Sequence, residues 1–320
     1  MISIVVCTYN RCESLRDTLR SLLWQEASAG ILGEVIVVDN NSVDQTREVV
    51  EEFARQGGFP VRYVLERSQG IAYARNRGLL AAREEIVLFM DDDAVAEPGW
   101  MGAVARCFQE TGADMVGGKV IPMWLTPRPE WLSNDLLGPM PRVDYGSQRK
   151  RLGPDNAAFL TTNCALRRSK LPKYGIFDVT LGRRGDRWVG GEDFELCERW
   201  ARQGAEIYYE PSAVVHHKVG AERVTPEFYR KWFVDIGYTQ AHQTDWKWHH
   251  LVSIIPAWRW KKLAEAGIRY VRAKGSASES ARLQAELWWR FQTSFLKERF
   301  AHWTGRLRGS VNPACPFSRA

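Results

Sequence analysis

The chain has 320 residues, enough for one large or two modest domains with a sizeable core. Its 45% hydrophobic, 12% aromatic and 26% charged residues exclude a disordered chain, and six scattered cysteines exclude a disulfide scaffold. The net charge of +6 is uneven: Trp258 to Ala320 carries 13 Lys/Arg against 4 Asp/Glu, a net +9, which leaves the preceding body at −3. A nucleic-acid binder needs basic residues over its folded body as well, so no nucleic-acid partner is expected. No apolar run approaches the roughly 20 residues of a membrane-spanning helix, and Met1 to Thr8 lacks the features of a secretory leader, so a cytoplasmic location is expected. Cys7, Cys12, Cys107, Cys164, Cys197 and Cys315 form no C-x-x-C pair and are expected to be reduced and mostly buried.

In chain order, Ile2 to Val6 is a short β-branched run, and Ser14 to Trp24 spaces Leu15, Leu19, Leu22 and Leu23 as a helix does. Val35 to Val38 is a second strand ending in Asp39, and Asp44 to Gln56 a second helix with Val49, Val50 and Phe53 on one face. Val61 to Leu65, Ala72 to Arg83 and Ile86 to Met90 continue the alternation as strand, helix, strand. Strands apolar on both faces and separated by helices predict an α/β fold with a mostly parallel sheet, whose ligands gather at the carboxyl ends of the strands. Thr8-Tyr9-Asn10, Asp39-Asn40-Asn41 and Asp91-Asp92-Asp93 each follow a strand directly and should meet on one edge.

Pro122 to Asp155 is rich in Pro, Trp and Gly and reads as a long loop or lid. Phe159 to Leu166 restores regularity. Glu192 to Gln203 reads as a helix with Phe194, Cys197 and Trp200 on one face, and Glu206 to Tyr209 and Ala213 to Val215 as short strands. After Pro256, two amphipathic basic helices are expected. The second repeats Leu283, Leu287, Phe291 and Phe295 every four residues, with Trp288, Trp289 and Trp303 alongside.

The strongest chemical signal is Ile86-Val-Leu-Phe-Met-Asp-Asp-Asp93, an apolar strand that delivers three carboxylates at its end. Like charges so close need a counter-ion, and a hard divalent cation with a diphosphate ligand suits them. On an extended chain Asp91 and Asp93 point one way and Asp92 the other. A solvated turn with an Asp helix cap is the alternative. Asp39 stands where a carboxylate can accept a donor from a base or ribose, whereas Asn40 to Ser42 read as turn and cap residues. The absence of G-x-G-x-x-G after the first strand disfavours a dinucleotide site. In Val189-Gly-Gly-Glu-Asp193, a carboxylate opens a helix as either an N-cap or a positioned general base. His216 and His217 follow a short strand and must face opposite ways, so at most one can join a metal.

Six segments in order resemble the family 2 glycosyltransferases, inverting enzymes of the GT-A fold. They are Val5-Val-Cys-Thr-Tyr-Asn-Arg11, Val37-Val-Asp-Asn-Asn-Ser42, Gly70-Ile-Ala-Tyr-Ala-Arg-Asn76, Phe89-Met-Asp-Asp-Asp93, Gly190-Gly-Glu-Asp193 and Val215-His-His217. The resemblance covers about residues 1 to 240. It implies a Rossmann-like, mostly parallel sheet flanked by helices, with a C-terminal helical extension. The implied domain of residues 1–240 has a nucleotide-sugar half (1–121) and an acceptor and catalytic half (122–240), and 241–320 is the basic, Trp-rich extension.

The resemblance also implies site roles. Thr8 and Asp39 would line the nucleotide base, with Tyr9 and Arg11 near it, and Arg75 and Asn76 would flank the sugar-nucleotide pocket. Asp91 and Asp93 match the D-x-D motif, with Asp93 the more direct metal ligand and Asp91 nearer the ribose; Asp92 leaves the register open. Asp193 matches the catalytic base, with Glu192 beside it, and His217 the third metal ligand, with His216 the near alternative. The implied reaction is metal-dependent (Mn or Mg) transfer, with inversion, from a nucleoside diphosphate sugar, UDP-linked by preference. The implied acceptor is a glycan or lipid-linked hydroxyl in cell-surface polysaccharide biosynthesis. Trp124, Trp131 and Tyr145 are expected either on the acceptor side or in the core. A sugar nucleotidyltransferase would open with a Gly-rich basic phosphate loop, which Thr8-Tyr-Asn-Arg11 is not. A non-catalytic sugar-nucleotide or glycan-binding module should have lost some of Asp91, Asp93 and Asp193, yet all stand in place. For the tail two readings stand open: a peripheral anchor on the anionic inner face of the plasma membrane, or helices packed on the domain or on a partner subunit with basic faces in solvent.

Overall fold

The computed structural model describes residues 1–23, 25, 30–183, 190–243, 257–276 and 278–307. Trp24, Cys315 and the side chain of Trp303 lie outside the described residues. The chain packs as two units: Met1–Pro129 with Leu137–Val224, and Glu130–Leu136 with the residues from Thr225 on.

The first unit opens with β1 (Ile2–Thr8), α1 (Cys12–Leu23), β2 (Leu32–Asp39), α2 (Thr46–Gln56), β3 (Val61–Leu65), α3 (Ile71–Ala81) and β4 (Ile86–Asp91). Every residue of β1 is buried, as a strand covered by helices on both faces requires. One layer of core joins Leu15, Leu19 and Leu22 of α1 to Val49, Val50 and Phe53 of α2 under the sheet; Ala72, Ala74 and Leu79 of α3 pack on the other face. The chain continues with β5 (Ala94–Ala96), α4 (Trp100–Thr111), β6 (Met115–Trp124), β7 (Lys150–Leu152), β8 (Cys164–Arg167), α5 (Leu171–Tyr174), α6 (Glu192–Arg202) and β9 (Ile207–Val219).

Together these strands form a nine-stranded sheet in the order β3-β2-β1-β4-β8-β6-β9-β5, with β7 also on β9. The first four strands are parallel, as the alternation predicts. The sheet then becomes mixed: β8 runs antiparallel to both β4 and β6, and β9 is parallel to β6 but antiparallel to β5 and β7. The fold is therefore of the GT-A type, a Rossmann-like half extended by a mixed half.

Several elements differ from their expected form. The two short strands expected near residues 206–215 are one strand, β9, whose register against β6 slips between Gly118 and Lys119. Asn163 fills that slip, donating from Nδ2 to the carbonyls of Lys119 (2.9 Å) and Ala213 (2.8 Å) and accepting from Trp100 Nε1 (2.8 Å). The expected loop from Pro122 is shortened at both ends by β6 and β7, and Val143 bridges to Val120. Tyr145 donates its hydroxyl to the carbonyls of Asn156 and Ala158 and packs its ring on Phe159 and Tyr209, a core role. On α6 the buried face is Leu196, Cys197 and Trp200, while Phe194 is exposed. Cys7, Cys107, Cys164 and Cys197 are buried free thiols, and Cys12 is half-buried.

Among the described residues, the α-helices of the second unit are α7 (Pro226–Gln243), α8 (Ala257–Ala273) and α9 (Glu279–Leu307). Leu283, Leu287, Phe291 and Phe295 are the buried stripe of α9, as their spacing predicts. At Gly237 a Cβ would stand 2.7 Å from the Phe291 carbonyl, so this glycine sets how closely α7 approaches α9. Arg230 of α7 pairs with Glu286 of α9, and Trp131 stacks edge-on against Tyr229.

Candidate active site

The parallel strands end together, and the backbone turns there are built by asparagines. Asn10 and Asn41 adopt positive φ (52° and 68°) directly after β1 and β2. Asn40 donates to the carbonyls of Glu66 and Ser68 and accepts from Gly70 N–H, fixing the start of α3. Asp39 accepts from Ser42 N–H (2.8 Å) and Tyr63 Oη (2.7 Å), so it is held rigidly on the edge beside Thr8.

The three carboxylates after β4 face different partners. Asp92 is buried, accepts from Thr8 Oγ1 (2.7 Å) and lies 3.3 Å from Arg11 Nη1. Asp93 accepts from the same Arg11 nitrogen at 2.8 Å. Asp91 accepts from Thr162 Oγ1 and lies 3.7 Å from Arg75 Nη2. Asp91 and Asp93 thus share one side and Asp92 faces Thr8, as expected, although β4 ends at Asp91 and a turn rather than an extended strand carries Asp92 and Asp93.

His217 completes the cluster. Its Nε2 stands 3.1 Å from Asp93 Oδ1 and 3.7 Å from Asp91 Oδ2. Its Nδ1 lies 3.0 Å from the Lys218 carbonyl. A carbonyl only accepts, so Nδ1 carries the hydrogen and Nε2 is turned towards the two carboxylates. Ligand atoms of Asp91, Asp93 and His217 all lie within 4.8 Å of one another. Two carboxylates and an imidazole oriented by a backbone carbonyl are a donor set that fits a divalent cation. His216 is not part of this set. Strand alternation in β9 turns it to the opposite face, where Nε2 meets Glu97 Oε1 at 2.6 Å.

A second carboxylate pair opens α6. Glu192 and Asp193 are both buried; Glu192 is ion-paired with Arg75, and Asp193 Oδ1 accepts from Phe194 N–H at 2.9 Å. Arg75, buried on α3 with its guanidinium 5.7 Å from the Phe177 ring centre, therefore links Glu192 to Asp91. Asn76 uses both ends of its amide on the Phe177 backbone, 2.9 Å each way, and ties α3 to that segment.

Burial sets the electrostatics. It pushes the Asp193 carboxyl up to about 7; the Glu192 charge adds to the rise and Arg75 opposes it. It lifts Asp92 to about 7 against the pull of Arg11. For Asp93, burial works upward too, but His217, Arg11 and Arg223 outweigh it and hold this carboxyl below the usual range. A cavity of about 390 Å³ opens beside Asp93, lined among others by Asn10, Arg11, Ser14, Lys218 and Arg223. Tyr9 is exposed on the turn after β1.

Sequence reasoning missed Thr162, Tyr63 and Lys218. Tyr63 lies in a mostly apolar strand, and Thr162 in the short polar run Thr161-Thr162-Asn163, which follows no expected strand end. Lys218 follows the histidine pair, where a basic residue beside the acidic cluster was a signal within reach.

The sequence profile of glycosyl transferase family 2 matches residues 3–175. The chain belongs to glycosyl transferase family 2. This glycosyltransferase is 29% identical over 256 residues to the glucosyl-dolichyl phosphate glucuronosyltransferase of Haloferax volcanii, covering 75% of this chain and 79% of that one. It is 30% identical over 226 residues to the succinoglycan biosynthesis protein ExoM of Rhizobium meliloti, covering 70% and 69%. Its fold is similar to the mannosyltransferase PcManGT from Pyrobaculum calidifontis, solved in complex with GDP-Man and Mn²⁺, with a TM-score of 0.60 at 18% identity over 95% of this chain and 87% of that one. No helix among the described residues is long and apolar enough to cross a membrane.

Proposed function

We propose that this glycosyltransferase moves a sugar, with inversion, from a nucleoside diphosphate sugar to a hydroxyl of a glycan or lipid-linked acceptor in polysaccharide biosynthesis. The observation that carries the reading is the pairing of two carboxylate centres through one buried arginine: Asp91, Asp93 and His217 on one side of Arg75, Glu192 and Asp193 on the other. Thr8, Asp39 and the turn at Tyr9 form the nucleotide side. Asp92, bonded to Thr8, is a further carboxylate on that side, and Asp91 is read as the one nearer the ribose.

Asp93, Asp91 and His217 would hold a divalent cation, Mn²⁺ or Mg²⁺, whose chemistry there is to offset the charge that grows on the departing diphosphate. Arg11, paired with Asp92 and Asp93, lies beside the cavity with Lys218 and Arg223, a basic rim suited to phosphate oxygens. Asp193 takes the proton of the acceptor hydroxyl as that oxygen attacks the anomeric carbon. The new carbon–oxygen bond forms opposite the bond to the diphosphate, which breaks and leaves with its electron pair. Glu192, locked on Arg75, fixes the start of α6 and so the position of Asp193.

Two relatives support the acceptor class: one is a glucosyl-dolichyl phosphate glucuronosyltransferase and the other a succinoglycan biosynthesis protein. The mannosyltransferase complex supports a sugar nucleotide with a divalent metal, and a UDP-linked donor is the first to try. The proposed place is the cytoplasm, peripheral to the inner face of the plasma membrane, with the C-terminal helices towards the lipid.

The test is release of free nucleoside diphosphate from a panel of sugar nucleotides with Mn²⁺, Mg²⁺ or EDTA. One donor hydrolysed only with metal, and spared by Asp93→Ala, supports the reading. No hydrolysis together with no metal-dependent binding of any nucleotide overturns it.

A further inference from the structure

The helix α8 carries more apolar surface than its packing on α9 uses. Its inward face is complete: Leu263 packs against Phe295 and Leu296, Ala266 is buried, Tyr270 stacks on Trp289 with ring centres 6.3 Å apart, and Arg259 lies 4.1 Å from the Phe295 ring centre. A second stripe stands apart from that face. Trp260, Ala264, Ile268 and Val271, spaced four, four and three residues apart, share one side of the helix and are all exposed, Val271 by 67%. Phe300 of α9, also exposed, continues the stripe with its ring centre 6.3 Å from that of Trp260.

The neighbouring side of α8 is basic. Lys261, Lys262, Arg269 and Arg272 are exposed there, Lys274 follows, and Glu265 is the one acid between Ala257 and Lys274. Among the described residues none of these five cations is ion-paired. An apolar stripe with an aromatic end, beside a row of uncompensated cations, is the pattern of a helix lying in the headgroup region of an anionic bilayer. A second copy of the same face would set like charges against one another.

We propose that the outward face of α8, continued by Phe300, seats this protein on an anionic lipid surface, with the helix parallel to the membrane plane. Trp260, Ile268, Val271 and Phe300 enter the acyl boundary, and Lys261 and Arg272, which flank the stripe, meet lipid phosphates. This deepens the lipid-facing part of the function proposed above and names the groups that make the contact.

The test is flotation of the full chain with phosphatidylcholine vesicles, with and without about 30 mol% phosphatidylglycerol. The wild type should float with the anionic vesicles at least about tenfold more than with neutral ones, and salt should weaken the binding. The triple variant Trp260→Ser, Ile268→Ser, Val271→Ser should lose about tenfold or more of that binding, and Lys261→Gln or Arg272→Gln about fivefold. These side chains face solvent, so melting temperature and donor hydrolysis should stay at wild-type values in every variant. Equal flotation with neutral and anionic vesicles would overturn the proposal. So would a triple variant that floats like the wild type. A wild-type dimer in solution that the triple variant lacks, without vesicle binding, would assign the face to a second copy instead. The two proposals fail separately: flotation lost with hydrolysis intact removes only the lipid seat, and flotation without metal-dependent hydrolysis removes only the transfer reaction.

Discussion

A carboxylate that must take a proton near neutral pH needs a pKa close to 7, and Asp193 meets that condition through burial beside Glu192. Its basic form predominates only above that value, so the rate of transfer should rise with pH through about 7 and then level off. Asp193→Asn should lower kcat by about 10²- to 10⁴-fold while leaving donor binding in place, read by turnover and titration on one sample. The same raised pKa has the opposite sign for stability. The folded state holds the proton more tightly than the unfolded chain does, so the stabilisation present below the unfolded value is lost as pH rises through about 7. Asp193→Asn should therefore raise the melting temperature more at pH 8 than at pH 5. The two histidines separate in the same way: His217→Ala should weaken Mn²⁺ binding about 10-fold or more, and His216→Ala, which loses only Glu97, should leave it unchanged.

At the scale of elements, α3 shows packing overriding helix propensity. A Cβ on Gly78 would stand 2.4 Å from Val5 Cγ1 of β1, inside any real contact. Alanine normally favours a helix over glycine by about 1 kcal/mol, yet overpacking costs about 1–3 kcal/mol, so Gly78→Ala should be destabilising by denaturant unfolding. Gly102→Ala in α4 meets only the flexible end of Arg106, at 3.3 Å, and should be neutral or slightly stabilising. The legible parts of the fold were those written in local pattern. Strands such as Ile2–Thr8 are apolar on both faces, and α1 and α2 repeat leucine and valine at helical spacing. What escaped was non-local: β9 is one strand although its register slips where Asn163 reaches in from another segment, and α7 spreads its apolar residues around the helix without a single stripe. The site was legible wherever a polar cluster followed a strand. The partners Thr162 and Tyr63 were not, because a hydroxyl carries no pattern of its own until the fold brings a carboxylate to it.

Over the whole molecule, charge and chemistry are segregated. The acidic clusters that hold the site belong to a body of net −3, while the stretch from Trp258 on carries +9. A chain so divided should be held on duplex DNA only weakly and released by about 0.2 M salt, because few phosphates can be engaged at once. Within the first unit, Arg75 joins the two carboxylate centres, and their division of labour is the core of the functional reading. Calorimetric titration of nucleoside diphosphate in the presence of Mn²⁺, with wild type, Asp93→Asn and Asp193→Asn side by side, probes that division. Asp193→Asn should bind nucleotide and metal like the wild type yet fail to turn over, while Asp93→Asn should lose the metal-dependent part of binding. Equal binding by all three proteins, or loss of binding in Asp193→Asn with Asp93→Asn unaffected, would contradict the assignment.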